Sequence, residues 1–305
     1  MLRLGLFPNM THAPGIVCLL DKVFESALPR NARLHTKVFT AGPQAVEAIF
    51  AKAVDMVYIG PNPAVNAYLR SRSEALRIVS GATAGGAALV VQQWVQAVTD
   101  LIGTRVGSPQ LGNTQDIALR SWLAHQGLGG DPDSSGPVTV VPQGNAEIFE
   151  SFRQGQLAGA WVPEPWASRL LFEANGKVLV NERDLWPGGL FPTTVFAARP
   201  SYLEQEPEMA RAMLTAHSRC VDLLRKDQES ARDRVGAWIT SVTGKSLPAP
   251  VLERAWSEVT FTVDPLFDSI KLRAEQAKDL GILPQFTDEE IAGILYKDTG
   301  TLTKT

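Results

Sequence analysis

The feature that most limits the fold is a rhythm in the sequence. Short apolar runs with strand character alternate with amphipathic runs, and the alternation stops and then begins again. In the first 82 residues "LRLGLF", "HTKVFT", "VDMVYIG" and "LRIVSGA" read as strands, with "PGIVCLLDKVFESAL" and "PQAVEAIFAKA" as helices between them. After "SGATAGGAALVVQ" the pattern restarts with "TRVGS", a helix, "VTVVP", the helix "NAEIFESFRQG" and the strand "LAGAWV". Helices between successive strands are the crossovers that parallel strands need, so the chain is expected to be α/β with largely parallel sheets flanked by helices. From about Ser201 it turns helical, in "EPEMARAMLTAHSRCVDLLRK", "ESARDRVGAWITSV" and "PLFDSIKLRAEQAKDLGIL".

The two units can be laid over one another at one offset. Arg3 and Gly5 fall on Arg105 and Gly107, Gly42 on Gly144, and Pro61 and Pro63 on Pro163 and Pro165. These matches sit in the first strand, at the start of the second helix and at the strand exit that follows. In open α/β sheets ligands lie beyond the carboxyl ends of strands, where helix N-termini converge. Each unit therefore offers a site-forming edge.

Composition narrows the function. A chain of 305 residues, 45% apolar and 20% charged, can bury a large core and suits two domains, with one large domain as the alternative. Its formal charge of -3 and the lack of any Lys/Arg block remove the phosphate-neutralising footprint of a nucleic-acid binder. The longest apolar stretches, such as "GGAALVV" and "IGPNPAV", are too short or too Pro-broken to span a bilayer. "LRLGLF" follows Met1 directly and reads as a strand, not a secretory leader, which leaves either a cytoplasmic protein or one whose leader was removed. Cys18 and Cys220, far apart within apolar helical runs, read as buried free thiols.

Candidate ligand contacts gather at the strand exits. In "PQLGNTQD", Asn113 or Thr114 can cap a helix, Gly112 permits a tight turn or close backbone approach, and Gln115 falls in the first turn. Free N–H groups there attract an anion, by hydrogen bonds and by the end charge of the helix. An ordinary cap before an ordinary core helix reads equally well. In the first unit "FPNMTHAPG" supplies Asn9, Met10, Thr11 and His12 ahead of Pro14, which suits a first helical turn. "IGPNPAV" and "VPEPWAS" each place a Pro-x-Pro on leaving a strand. The prolines restrict Asn62 and Glu164 and aim them toward a shared crevice, or they merely stop one element and start the next. Phe7, Trp166, Trp186 and Phe191 are candidate aromatic walls, the last two equally suited to packing.

Together "LGLFPNMTHAP", "AGPQAVEAIFAKAVDMVYIGPNPAVNAY", "SGATAGGAALVV", "PQLGNTQDIALRSWL" and "AWVPEPWASRLL" resemble the solute-binding proteins of ABC importers for nitrate, sulfonates, taurine and bicarbonate. The resemblance runs over nearly the whole chain and includes "FTVDPLFDSIKLRAEQAKDLGIL". It implies the two-lobed, type II periplasmic-binding fold. The first lobe would be residues 1–84 and 196–305, with the C-terminal helices, and the second 85–195. The chain would cross between them at "ATAGGAA" and "FPTTVFAA". It also implies contacts from "NMTH" (Asn9, Met10, Thr11, His12), "GPN" (Gly60, Pro61, Asn62), "TAGG" (Thr83, Gly85, Gly86), "GNTQ" (Gly112, Asn113, Thr114, Gln115) and "EPW" (Glu164, Trp166). No Arg or Lys occurs in these strings, so an anionic group would be held by neutral donors and helix ends.

The function so implied is capture of a small organic oxyanion (sulfonate-like), or of a related uncharged or zwitterionic small molecule, by lobe closure, without chemistry, cofactor or metal. A membrane permease would be the partner, the protein a monomer, and its location periplasmic or otherwise extracytoplasmic, although the leader or lipid-attachment Cys of exported relatives is missing from this chain. Two other readings stand beside it: a biosynthetic enzyme on the same fold, acting on thiamine-pyrimidine or menaquinone precursors, and a cytoplasmic ligand sensor. His12 could serve an enzyme as acid or base. However, His12, His35, His125 and His217 form neither HExxH nor another close metal spacing, and no G-x-S-x-G occurs. "TGKS" at 243–246 resembles a P-loop ending, but Ile239 stands where the loop requires Gly.

Overall fold

The computed structural model describes residues 1–40, 42–132 and 136–297. Its strands are β1 (Leu2–Leu6), β2 (Leu34–Val38), β3 (Met56–Ile59), β4 (Arg77–Gly85), β5 (Ala87–Val91), β6 (Arg105–Pro109), β7 (Thr139–Gln143), β8 (Gly159–Pro163), β9 (Lys177–Asn181), β10 (Pro192–Ala198) and β11 (Val259–Phe261). They form two sheets, ordered β11-β4-β10-β3-β1-β2 and β7-β6-β8-β5-β9. β1 pairs in parallel with β2 and β3, and β6 in parallel with β7 and β8. The next strand along each sheet, β10 or β5, runs antiparallel to its neighbours. Each sheet is thus mixed, with parallel triplets of identical order, β2-β1-β3 and β7-β6-β8.

The antiparallel strand in each sheet has just arrived from the other one. β4 ends at Gly85 in the first sheet and β5 begins at Ala87 in the second, so that crossing takes a single residue, Gly86. The return runs through residues 182–191 as two short 3-10 turns. "FPTTVFAA", expected to be the return crossing, is instead β10 from Pro192 onward, paired on both sides within the first sheet. Its β-branched and aromatic residues, all buried, suit a central strand better than a hinge.

The offset of the two units has a steric meaning at the glycines. A Cβ on Gly5 in β1 would come 2.7 Å from the Phe39 ring, and one on Gly107 in β6 would come 2.9 Å from Leu157 Cδ1. Only glycine lets the covering side chains approach each first strand so closely.

Helices cover both faces of each sheet. On one face of the first, Leu2, Leu4, Leu6, Tyr58 and Phe196 meet apolar residues of helices Ala13–Leu20, Pro207–Lys226, Gln228–Thr243 and Ala249–Ser257. On the other, Val57, Ile59 and Val195 meet helices Gly42–Phe50, Pro61–Arg70, Phe267–Asp279 and Asp288–Ala292. The C-terminal helices therefore pack on the first sheet. The second sheet is enclosed likewise, by Leu119, Trp122 and Leu123 on one face and Ile148, Phe152 and Leu170 on the other.

Two expectations about the first lobe change. "PGIVCLLDKVFESAL" is two helices, Ala13–Leu20 and Val23–Ala27, because Lys22 takes a left-handed φ of 52° that breaks the run. The sulfurs of Cys18 and Cys220, expected to be free thiols, are joined as a disulfide with Cα atoms 5.7 Å apart. Packing of helix Ala13–Leu20 against Pro207–Lys226 creates that proximity, which separation along the chain conceals. Nearby, His217 is fully buried: Tyr58 O–H donates to its Nδ1 at 2.7 Å, and its Nε2–H donates to the Gly81 carbonyl at 2.8 Å. Burial lowers its pKa to about 4.

Candidate functional site

The carboxyl ends of β1, β2 and β3 face those of β6, β7 and β8 across a small cavity. Its described lining is Phe7, Asn9, Thr11 and His12 after β1, Thr40 and Gly42 after β2, and Gly60 after β3. From the second lobe come Pro109 closing β6, Asn113, Thr114 and Gln115 after it, Asn145 after β7 and Pro163 closing β8; Thr193 of β10 completes it. The strands end here because proline, glycine and short polar residues follow each apolar run and turn the chain into a helix. The free interior is about 50 Å³, room for roughly three to five waters or one small ligand.

No lining residue among those described is Lys, Arg, Asp or Glu. The donors are neutral. His12 is nearly sealed from solvent, and burial lowers its pKa to about 3. Its Nδ1 accepts from the Phe7 N–H at 3.4 Å, which leaves the proton of the neutral ring on Nε2. Thr11, Thr114 and Gln115 are buried as well, and neither Thr114 Oγ1 nor Asn145 Oδ1 has a hydrogen-bond partner among the described residues. An unmet buried hydroxyl costs about 1–3 kcal/mol, a cost that a ligand accepting from it or donating to it would offset. Helices Thr114–His125 and Asn145–Arg153 start at the cavity, and the first-turn amides of an α-helix lack partners within it.

The loop "PQLGNTQD" is built from within. Gly112 has φ +77°, and its N–H donates to Asp116 Oδ2 at 2.9 Å. Asp116 Oδ1 accepts from the Ser108 hydroxyl, and the carboxylate pairs with Arg120 at 3.1 Å. Asn113 caps the helix by accepting from Thr114 N–H at 3.1 Å. Gly112 therefore shapes the turn, while Asn113, Thr114 and Gln115 are presented to the cavity. The two lobes touch there: a Cβ on Gly60 would lie 2.7 Å from Thr114 Oγ1, and one on Gly42 3.2 Å from Asn113 Oδ1.

Of the residues singled out in the sequence, Asn9, Thr11, His12, Gly60, Asn113, Thr114 and Gln115 come together at the cavity, as does the aromatic candidate Phe7. The others lie outside its lining. Met10 is buried in the apolar core of the first lobe. Pro61 and Asn62 occupy the first turn of helix Pro61–Arg70, with both Asn62 amide atoms buried and without a hydrogen-bond partner among the described residues. Thr83 and Gly85 belong to β4, and Gly86 is the crossing. Trp166 reaches across from the second lobe, its Nε1–H donating to Asn9 Oδ1 at 3.2 Å. Trp186 and Phe191 stack on each other, 5.7 Å between centroids, in a separate apolar cluster with Ala87. Glu164, 1% exposed, accepts from Ser168 N–H at 3.0 Å and pairs with Arg254 at 2.7 Å. Burial, only partly offset by these partners, raises its pKa. Sequence reasoning missed Thr40, Asn145 and Thr193 as lining residues; the 102-residue offset, which pairs Gly42 with Gly144 beside Asn145, was the available signal.

A taurine-binding periplasmic protein of Escherichia coli (strain K12) is 26% identical over 199 residues, 65% of this chain and 59% of that protein. A putative binding protein of Brucella abortus (strain 2308) matches with the same identity and shares. The chain thus spans 59% of the length of these curated relatives. Among solved structures, the alkanesulfonate-binding protein SsuA from Xanthomonas axonopodis pv. citri, bound to MOPS, superposes with a TM-score of 0.78 at 20% identity and covers 97% of both chains. That likeness establishes the two-lobed periplasmic-binding fold. The NMT1-like family model matches residues 1–240, well over half the sequence, and the chain belongs to that family.

Proposed function

We propose that the chain is the substrate-binding component of an ABC importer, capturing a small organic oxyanion, foremost a sulfonate, by closure of two lobes and passing it unchanged to a membrane permease. The observation that carries this reading is the convergence of two sets of strand ends and helix starts on one small polar cavity without a formal charge. Hydroxyl and amide donors with helix-end partial charges suit a monoanion; a dianion would lack a countercharge. The names of the taurine- and alkanesulfonate-binding proteins above support the ligand class.

The lobes are the first-sheet segments, near residues 1–85 and from 192 onward, and the second-sheet segment, near 87–191. We assign Asn9, Thr11, His12, Gly60, Asn113, Thr114 and Gln115 to ligand contact. Gly85 and Gly86, both at positive φ, supply the freedom a hinge needs. An extracytoplasmic site of action is supported by the disulfide, which persists in oxidising compartments. No helix of the described residues is long and apolar enough to cross a membrane. The working form is a monomer.

The test is native mass spectrometry for a retained small molecule, with a thermal-shift panel of taurine, methanesulfonate, nitrate and bicarbonate. A rise in melting temperature for one class, without turnover, is expected. Conversion of the stabilising compound, or no stabilisation by any member, would defeat the proposal.

A further inference from the structure

Glu164 and Arg254 lie on opposite lobes and neither lines the cavity. Glu164 follows Pro163, the lining residue at the end of β8, and its N–H donates to the carbonyl of the crossing residue Gly86 at 2.9 Å. It therefore stands between ligand cavity and hinge. Arg254 is carried by helix Ala249–Ser257, whose Leu252, Ala255 and Trp256 are embedded in the first-lobe core. Its Nη1 donates to Glu164 Oε1 at 2.7 Å and to Ser168 Oγ at 3.1 Å, both in the second lobe. Its Nη2 pairs with Glu258 at 3.3 Å within its own helical region. Glu258 in turn accepts from Asn181 Nδ2 of the second lobe at 3.2 Å. The result is a four-residue polar chain that crosses the interlobe seam twice.

The two partners differ in what separation would do to them. Arg254 is 21% exposed and would keep Glu258. Glu164 is 1% exposed, and among the described residues only Ser168, through its N–H at 3.0 Å and its hydroxyl, meets the carboxylate besides Arg254. A buried charge deprived of its partner is strongly unfavourable, more so than the intact pair is favourable. Closure without Arg254 would strand the Glu164 charge.

Resting on the closure reading above, we infer that Arg254 is a positioning residue for closure: it completes the buried Glu164 carboxylate only when the lobes meet, and so sets the open–closed equilibrium without touching the ligand. Ligand affinity is then determined partly by a residue outside the site, since a ligand selects the closed form and its apparent affinity scales with how available that form is.

The experiment measures interlobe distance by fluorescence transfer between dyes on Glu47→Cys and Ala146→Cys, exposed positions on opposite lobes. It is run on the full chain, alone and with taurine, methanesulfonate or nitrate. Arg254→Ala should lower the closed-to-open ratio roughly tenfold or more. Arg254→Lys should retain most of it. Glu164→Gln combined with Arg254→Ala should restore much of the loss, because a neutral amide leaves no charge to strand. Circular dichroism confirms that each variant is folded, and Arg254→Gln replaces Arg254→Ala if the latter is not. A ratio unchanged by Arg254→Ala, or a loss that Glu164→Gln does not relieve, overturns the inference. If the unsubstituted protein shows one fixed distance under every condition, the closure reading itself fails, and the inference with it.

Discussion

Acidification from pH 6.5 to 5 should weaken the fold through two buried imidazoles. His217 has a pKa of about 4 and His12 of about 3, against 6.5 for a solvated histidine, and burial is the leading cause for both. For a lowered histidine the folded state refuses a proton that the unfolded chain accepts. Stability is then complete above pH 6.5 and falls as the pH drops toward the folded value. The slope reaches about 1.4 kcal/mol per pH unit well below 6.5 and is half that at 6.5, so the step from 6.5 to 5 removes about 1.6 kcal/mol per histidine and about 3 kcal/mol together. Glu164 and Glu182, whose pKa values burial raises, act in the opposite sense and gain as the pH falls toward 4.5. The net loss is therefore below the two-histidine figure. Urea unfolding at pH 7.5, 6.5, 5.8 and 5 would give the slope, and His217→Gln should remove about one proton's share of it. If that variant kept the slope of the unsubstituted protein, the buried neutral tautomer between Tyr58 and Gly81 could not be the source, and the reasoning would be refuted.

Three further outcomes follow from contacts described above. Gly60→Ala keeps an ordinary backbone, φ −63°, but sets a methyl 2.7 Å from Thr114 Oγ1; the melting temperature without ligand should hardly change, while stabilisation by an otherwise effective ligand is lost. Gly85→Ala combines a φ of +74° with a Cβ 2.7 Å from the Glu258 carbonyl, so urea unfolding should show a loss of about 2 kcal/mol or more. Reduction of the Cys18–Cys220 bond, which spans 202 residues, should lower stability by up to about 5 kcal/mol; an unchanged urea midpoint in dithiothreitol, with free thiols confirmed by mass spectrometry, would argue against the bond.

The strand–helix rhythm was legible because hydrophobic period is local: "LRLGLF", "VDMVYIG" and "LAGAWV" each carry their strand signal within six or seven residues. β9, "KVLVN", was not, because it is an edge strand that is only partly buried, nor was β11, "VTF", which is too short to set a period. The cavity-facing part of the site was legible where a polar string follows a strand, as with Asn9 to His12 and Asn113 to Gln115. Glu164 defeated the sequence for a different reason. Its position after β8 does aim it inward, but Arg254, 90 residues later, claims its carboxylate, and no local pattern announces a partner so distant. Cys18 and Cys220 failed for the same cause. Return of the C-terminal helices onto the first sheet is a tertiary event, and everything that depends on it is silent in any short window.

That return also bears on synthesis. β10 is inserted between β3 and β4, so a ribosome that has released only the first 190 residues has delivered two strands whose facing edges have nothing to bind. The amino-terminal segment must wait, its edges open to stray pairing, until nearly two-thirds of the chain has emerged. A nascent fragment ending before Pro192 should therefore be captured by holdase chaperones and degraded quickly, whereas the segment from Ala87 to Asn181 already contains every strand of its own sheet and can mature first.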